Sequence, residues 1–185
     1  MVKKIFLYSK TLFRDSYRNV LDYFGSIAIK NFSHSSKIIR RIRHEDLNRF
    51  SELYQNCFNP NYFTTLLRYS KIFRNIFYVY EIDEIIVAYI SFYVHIRFDG
   101  LNPVLEATSF SGAVDPEFRG RGIFSLMCRE GFKELHNNKV QAVYACIQKN
   151  NSHSLDLHRK LGFEIIEENG EKCGEDFYRL LLKIN

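Results

Sequence analysis

The feature that most restricts how this chain can fold is the stretch Val114, Asp115, Pro116, Glu117, Phe118, Arg119, Gly120, Arg121, Gly122, Ile123, Phe124. An apolar, β-prone run precedes it. An apolar run with helical spacing, containing Met127, Phe132 and Leu135, follows it. A strand must therefore enter a glycine-rich turn that opens into a helix. The amides of a helix's first turn have no intrahelical acceptors and lie at the positive end of its dipole, so such a turn is a cradle for an anion. Gly120 and Gly122 keep side chains out of the way, the backbone from Ile123 through Phe124 to Ser125 supplies donors, and Arg119 and Arg121 add fixed positive charge.

Two familiar phosphate motifs do not fit. A nucleotide P-loop needs Lys and then Ser or Thr after its last glycine, whereas Ile123 and Phe124 stand there. A dinucleotide fingerprint needs a third glycine and an acidic residue about twenty positions on, and neither is in place. A second block narrows the choice. Asn151 is a good helix N-cap, Ser154, Leu157, His158 and Leu161 share a helical face, and Gly162 before Phe163 is placed for a left-handed C-terminal cap.

Together the two blocks resemble the GCN5-related N-acetyltransferase (GNAT) superfamily. Its pyrophosphate loop reads Arg or Gln, two free positions, Gly, one free position, then Gly or Ala; Arg119 to Phe124 match it except at Phe124. Asn151 to Phe163 resemble its Asn-capped helix ending in Leu-Gly-Phe, which implies a cofactor-binding place for Asn151. The resemblance covers roughly residues 37 to 185. It implies acetyl-CoA as co-substrate, and no metal is expected, since His136, His153 and His158 make no convincing ligand set.

Periodicity along the chain predicts a strand over Ile38–Arg43, a helix over Asp46–Cys57, a break at Asn59, Pro60 and Asn61, and a short helix over Phe63–Phe73. Two strands, Ile76–Glu81 and Ile85–Arg97, follow around a tight turn near Asp83 and Glu84, and Gly100–Pro103 is read as a loop. Strands over Val104–Val114, Val140–Ile147, Phe163–Glu168 and Phe177–Lys183, with a helix over Ile123–His136, complete the set. Strands and helices in this order make an α+β fold, a mixed, mostly antiparallel sheet of six or seven strands flanked by helices, rather than a doubly wound sheet. Ahead of it, residues 1–36 read as a basic helical extension, with Phe13, Tyr17, Val20, Leu21 and Phe24 at helical spacing, and residues 37–185 as the GNAT-like domain. The extension could pack on the domain, pair with a second copy to give a homodimer, or touch a membrane surface, with packing as the default.

By the same resemblance, the strand ending at Val114 splays from the one over Val140–Ile147, and the pantetheine arm pairs with the exposed strand backbone between them. Gly112 and Val114 match the positions whose amides meet the thioester carbonyl and the pantetheine, and the Gly112 amide would stabilise the oxyanion. Glu106 is the candidate base, the only carboxylate inside its strand and, by simple alternation, on the face of Thr108, Phe110, Gly112 and Val114. Cys146 stands where some relatives carry a glutamate base. His158 stands where many carry a tyrosine that protonates the leaving thiolate, a role open to an imidazolium. Neutralising a lysine-like amine of pKa about 10.4 at pH 7 costs roughly 4.6 kcal/mol. Positioning can contribute about 7 to 11 kcal/mol, so a weak or water-relayed base suffices.

Charge and cysteine content bound the rest. Residues 1–43 carry ten Lys and Arg against two Asp, while residues 44–185 carry sixteen basic and nineteen acidic side chains. A solvated basic face is the simpler reading of that N-terminal excess, ahead of nucleic-acid binding. Cys57, Cys128, Cys146 and Cys173 form no Cys-x-x-Cys pair, which indicates neither a zinc knuckle nor a disulfide framework and points to a reducing, cytoplasmic setting. Met1 to Lys4 begin no signal peptide, and the apolar run Ile85–Val94 is too short to span a bilayer. The expected function is acetyl transfer from acetyl-CoA to a primary amine, taken to be that of a small molecule, by direct attack in a ternary complex. The alternative is a non-catalytic acyl-CoA sensor.

Overall fold

The computed structural model describes residues 38–58, 77–169 and 176–184. The expected N-terminal helix and the expected Phe63–Phe73 helix lie outside them. Strand β1 (Ile39–Arg41) leads through a short 3-10 turn (His44–Asp46) into helix α1 (Leu47–Cys57). Strands β2 (Phe77–Ile82), β3 (Ile85–Asp99) and β4 (Asn102–Val114) follow, then a 3-10 turn (Pro116–Phe118) and helix α2 (Ile123–Asn137). Strand β5 (Val140–Gln148), helix α3 (Ser152–Lys160), β6 (Glu164–Glu168) and β7 (Phe177–Lys183) complete the described chain. The strands form one seven-stranded sheet in the order β1-β2-β3-β4-β5-β7-β6. Neighbours are antiparallel except β4 and β5, which run parallel.

The helices sit on opposite faces because their apolar stripes meet different strand parities. On α1, Phe50, Leu53 and Tyr54 are buried, and the Phe50 ring meets Tyr89 of β3 edge-on at 4.9 Å. On α2, Ile123, Met127, Cys128, Phe132 and Leu135 are buried at helical spacing, and Phe132 packs on Phe92 of β3 at 5.8 Å. Gly131 lets α2 approach that closely, since a Cβ there would lie 2.5 Å from the Phe92 ring. The first strand is pinned by charge. Arg40 bonds both Asp46, at 2.6 Å, and Glu81, while the Arg43 amide also donates to Asp46 at 2.6 Å. Burial alone would raise the Asp46 carboxyl, but these bonds outweigh it and hold it below the usual carboxylate range.

Of the two hairpins, one follows expectation and one differs from it. The β2–β3 turn falls at Asp83 and Glu84 as predicted, both with positive φ, the conformation that suits the twist of a two-residue hairpin. The β3–β4 connection is tighter than the expected Gly100–Pro103 loop: Asp99 pairs with Asn102 and Phe98 with Pro103, leaving only Gly100 and Leu101 to turn. Gly100 supplies the positive φ that this requires. The two long strands pair almost to their ends, and that continuity overrides the local turn signal of Pro103.

Gly131→Ala is expected to lower stability by about 1 to 3 kcal/mol, because the added methyl must displace the Phe92 ring in a packed core. A shift in the denaturant midpoint at unchanged slope is the readout.

Candidate functional site

Two irregularities in β4 create the site. The first is an early end to pairing: β4 and β5 are in register from Leu105 with Val140 to Ser109 with Ala145, after which β4 runs on to Val114 and β5 to Gln148 without pairing to each other. The expected splay is therefore present. The second is a bulge. Ser91 of β3 pairs with Ser111 and Phe92 with Ser109, so Phe110 is an extra residue and alternation resets there. Glu106 and Thr108 pair with His95 and Tyr93 on the α1 face, whereas Gly112 and Val114 pair with Ile90 and Ala88 on the α2 face. Contrary to simple alternation, Glu106 does not share a face with Gly112 and Val114: they lie on opposite sides of the sheet.

A cleft of about 230 Å³ opens where the strands part. Its lining draws on both faces. Phe58, Ser111, Cys146 and Phe177 come from the α1 side, and Gly112, Phe124, Asn151 and His158 from the α2 side. Glu106 is absent from this lining. It is buried, its Oε1 accepts from Arg97 Nε at 2.8 Å and from the Tyr144 hydroxyl at 3.3 Å, and His95 Nε2 lies 3.6 Å from its Oε2. Arg179 stacks over Tyr144 at 4.5 Å on the same side. Sequence reading missed this cluster, because its members are distant in the chain and meet only through strand register.

The turn between β4 and α2 is built as its sequence dictates. The Asp115 carboxylate caps the 3-10 turn by accepting from the Glu117 amide at 3.0 Å, with Pro116 inside it. Gly120 and Gly122 take φ of 74° and 73°, and open space surrounds both where a Cβ would be. No side chain caps α2 and its first turn holds no acidic residue, so the amides of Ile123, Phe124 and Ser125 lack intrahelical acceptors. These orphan donors are the fit of this turn to a diphosphate. The two guanidiniums brace the turn. Arg119 Nε donates to the Val114 carbonyl at 3.0 Å, and Arg121 donates to the Glu117 carbonyl at 3.2 Å while lying over the Phe118 ring.

Helix α3 fixes His158 three times over. Asn151 caps the helix by accepting from the Ser154 amide at 3.0 Å. At the other end Phe163 N–H donates to the His158 carbonyl and Gly162 N–H to that of Arg159, the Schellman pairing, with Gly162 at φ 94°. The accompanying side-chain contact is His158 on Phe163, ring centroids 5.2 Å apart. His158 Nδ1 lies 2.8 Å from the Ser154 carbonyl oxygen, which can only accept, so Nδ1 carries the hydrogen and Nε2 is left with its lone pair. Burial lowers the proton affinity of this ring, although the Ser154 carbonyl acts in the other direction. Hydrogen on Nδ1 leaves Nε2 able to accept, and burial disfavours the imidazolium form that proton donation would need.

Cys146 is disulfide-bonded, while Cys57 and Cys128 are free thiols. One bridged cysteine is a departure from the expectation of no disulfide framework, and the inference from cysteine content to a reducing compartment loses its premise. The sequence carries no local signal for the bond, since disulfide pairing depends on the distance between Cα atoms brought together by the fold. Among the described residues no cluster of three or more His, Cys, Asp or Glu could hold a metal ion, and no helix is long and apolar enough to cross a membrane.

The geometry has counterparts. A model of the acetyltransferase (GNAT) family matches residues 41–163. Similar solved structures include the ribosomal-protein-S18-alanine N-acetyltransferase from Escherichia coli, at 20% identity and TM-score 0.62, covering 80% of this chain and 93% of that one. NAA60 from Arabidopsis thaliana in complex with acetyl-CoA is similar at 16% identity and TM-score 0.66, covering 80% and 98%. The putative acetyltransferase yncA from Salmonella typhimurium with its cofactor acetyl-CoA is similar at 22% identity and TM-score 0.60, covering 80% and 93%. At these identities the likeness is one of fold. Among curated proteins none matches this chain by sequence.

Two outcomes test the α3 end of the site. Asn151→Ala should cost about 1 kcal/mol of stability through loss of the cap. The lowered His158 pKa makes the folded state bind protons less readily than the unfolded one, so its contribution to stability is complete above the unfolded value, 6.5, and is lost as pH falls through the folded value. His158→Phe should flatten the stability profile in that window, measured by denaturant titration across pH.

Proposed function

This chain belongs to the acetyltransferase (GNAT) family, and from that premise we propose that it transfers an acetyl group from acetyl-CoA to the primary amine of a small molecule by direct attack in a ternary complex. One observation carries the proposal: an uncapped helix terminus with two open left-handed glycines stands beside a parallel strand pair that separates after Ser109 and Ala145. The amides of Ile123, Phe124 and Ser125 would hold the diphosphate, with Arg119 and Arg121 keeping the turn in shape. Asn151 keeps α3 in place beside it. The unpaired backbone of β4 around Gly112 and Val114 would meet the pantetheine, and the Gly112 amide would face the developing oxyanion. Acetyl-CoA supplies an activated thioester whose sulfur departs as a thiol.

Proton handling falls to His158. Its Nε2 can take a proton from the attacking amine and hold it for the departing sulfur, one group serving both steps. Glu106 already accepts from Arg97 and Tyr144 on the other face, so its part is to order that face, where water can relay to it. Support for a small acceptor comes from the aromatic mouth of the cleft: Phe58 and Phe177 line it, as does Phe110, whose ring lies 6.4 Å from that of Tyr93. Such a wall suits an alkylammonium before it loses its proton.

A second reading, an acyl-CoA sensor without turnover, is favoured by Cys146 being bridged where a base could stand and by the Phe124 ring inside the cleft. Mass spectrometry of the protein with acetyl-CoA and pooled amine metabolites separates the readings: an acetylated amine with release of free CoA supports the enzyme, and tight acetyl-CoA binding without product supports the sensor. Including short peptides with free N-termini tests the small-molecule assignment, since product from peptides alone would replace it. Gly122→Glu should abolish CoA binding measured by calorimetry, by placing a carboxylate in the nest and a side chain where φ is 73°. His158→Phe should reduce turnover by about 100-fold, the lower range for loss of a general acid or base, with little change in CoA affinity.

A further inference from the structure

Phe124 is the residue of the turn that does not follow the pyrophosphate-loop pattern, and the structure shows where its side chain goes. It is the second residue of α2, and its ring points into the splay rather than to solvent. A Cβ built on Gly112 would lie 2.7 Å from Phe124 Cε2 and 3.2 Å from its Cζ, so the ring rests directly on the β4 backbone at Gly112. The ring centroid is also 6.5 Å from that of His158. The ring thus neighbours both the β4 backbone and the imidazole that the proposed acyl transfer would use.

We propose that Phe124 is a gate on the acyl-CoA slot: its ring occupies the space between Gly112 and His158, and the pantetheine arm enters only when the ring turns away. This rests on the acyl-CoA reading above. The ring is held by contact and not by a hydrogen bond, so a change of rotamer suffices to open the slot. Gly112 completes the device, because its missing side chain is what gives the closed ring its seat. A protein whose competent conformation is a fraction of the total binds with an affinity reduced by that fraction. Removing the gate therefore tightens binding without adding any contact to the ligand. Arms of the ligand that do not enter the slot gain nothing.

The test is calorimetric titration of wild type, Phe124→Ala and Phe124→Leu with CoA and with adenosine 3′,5′-bisphosphate, which carries no pantetheine. The expected result is CoA binding about tenfold tighter in Phe124→Ala, equivalent to about 1.4 kcal/mol, with Phe124→Leu in between and the bisphosphate unchanged in all three. Wild type that binds CoA as tightly as Phe124→Ala, or more tightly, overturns the gate and leaves the acyl-CoA reading standing. A parallel gain for the bisphosphate also overturns it, because the ring would then act on the diphosphate nest and not on the slot. No CoA binding by any of the three proteins removes the acyl-CoA reading itself and the gate with it. Thermal melts of the variants confirm that each is folded, and Phe124→Leu keeps an apolar side chain at the position should the alanine variant melt early.

Discussion

The parallel contact between β4 and β5, and its end at Ser109 and Ala145, is the constraint from which the site follows. Inside a sheet every backbone donor and acceptor needs a partner, and a strand that leaves its neighbour exposes both. Here the exposed stretch of β4 is the one that feeds the glycine turn. The orphan amides of α2 and the orphan backbone of β4 are therefore parts of one continuous polar track. Covalent continuity through Asp115 to Gly122 fixes their spacing, and the bonds that Arg119 and Arg121 make to main-chain carbonyls hold the turn. No reorganisation of the loop is needed to present its donors, which is where preorganised dipoles gain over water.

What was legible in the sequence was local. Asn151 as a cap, Gly162 as a left-handed stop and the strand-turn-helix around Gly120 and Gly122 are each decided within a few residues by backbone chemistry, and each is found where expected. The sheet was legible as well, since apolar runs and turn residues delimit its strands. The face on which Glu106 lies was not, for a physical reason. Alternation assigns faces only while the strand is regular, and one extra residue at Phe110 inverts the assignment for everything beyond it. Nothing in the residues around Phe110 announces a bulge; the demand arises from registering β4 against β3 while it parts from β5. The Arg97, Glu106, Tyr144 and Arg179 cluster escaped for a related reason, being a product of register and not of spacing.

His158 shows how one side chain can be both structural and chemical. Its carbonyl closes the Schellman pairing, its ring covers Phe163 and its Nδ1 ties back to Ser154. Those bonds leave a single atom uncommitted, Nε2, and they also decide which proton state it presents. Of the three restraints, the bond from Nδ1 to the Ser154 carbonyl is the one that selects the tautomer. A tyrosine hydroxyl can donate and accept, whereas this tautomer of the imidazole has only a lone pair to offer at Nε2.

The cleft takes lining residues from both faces of the sheet, because it lies where two neighbouring strands part. A substitution at Ser111 or Cys146 therefore alters the same cavity as one at Gly112 or His158, although the two pairs stand on opposite layers of the protein.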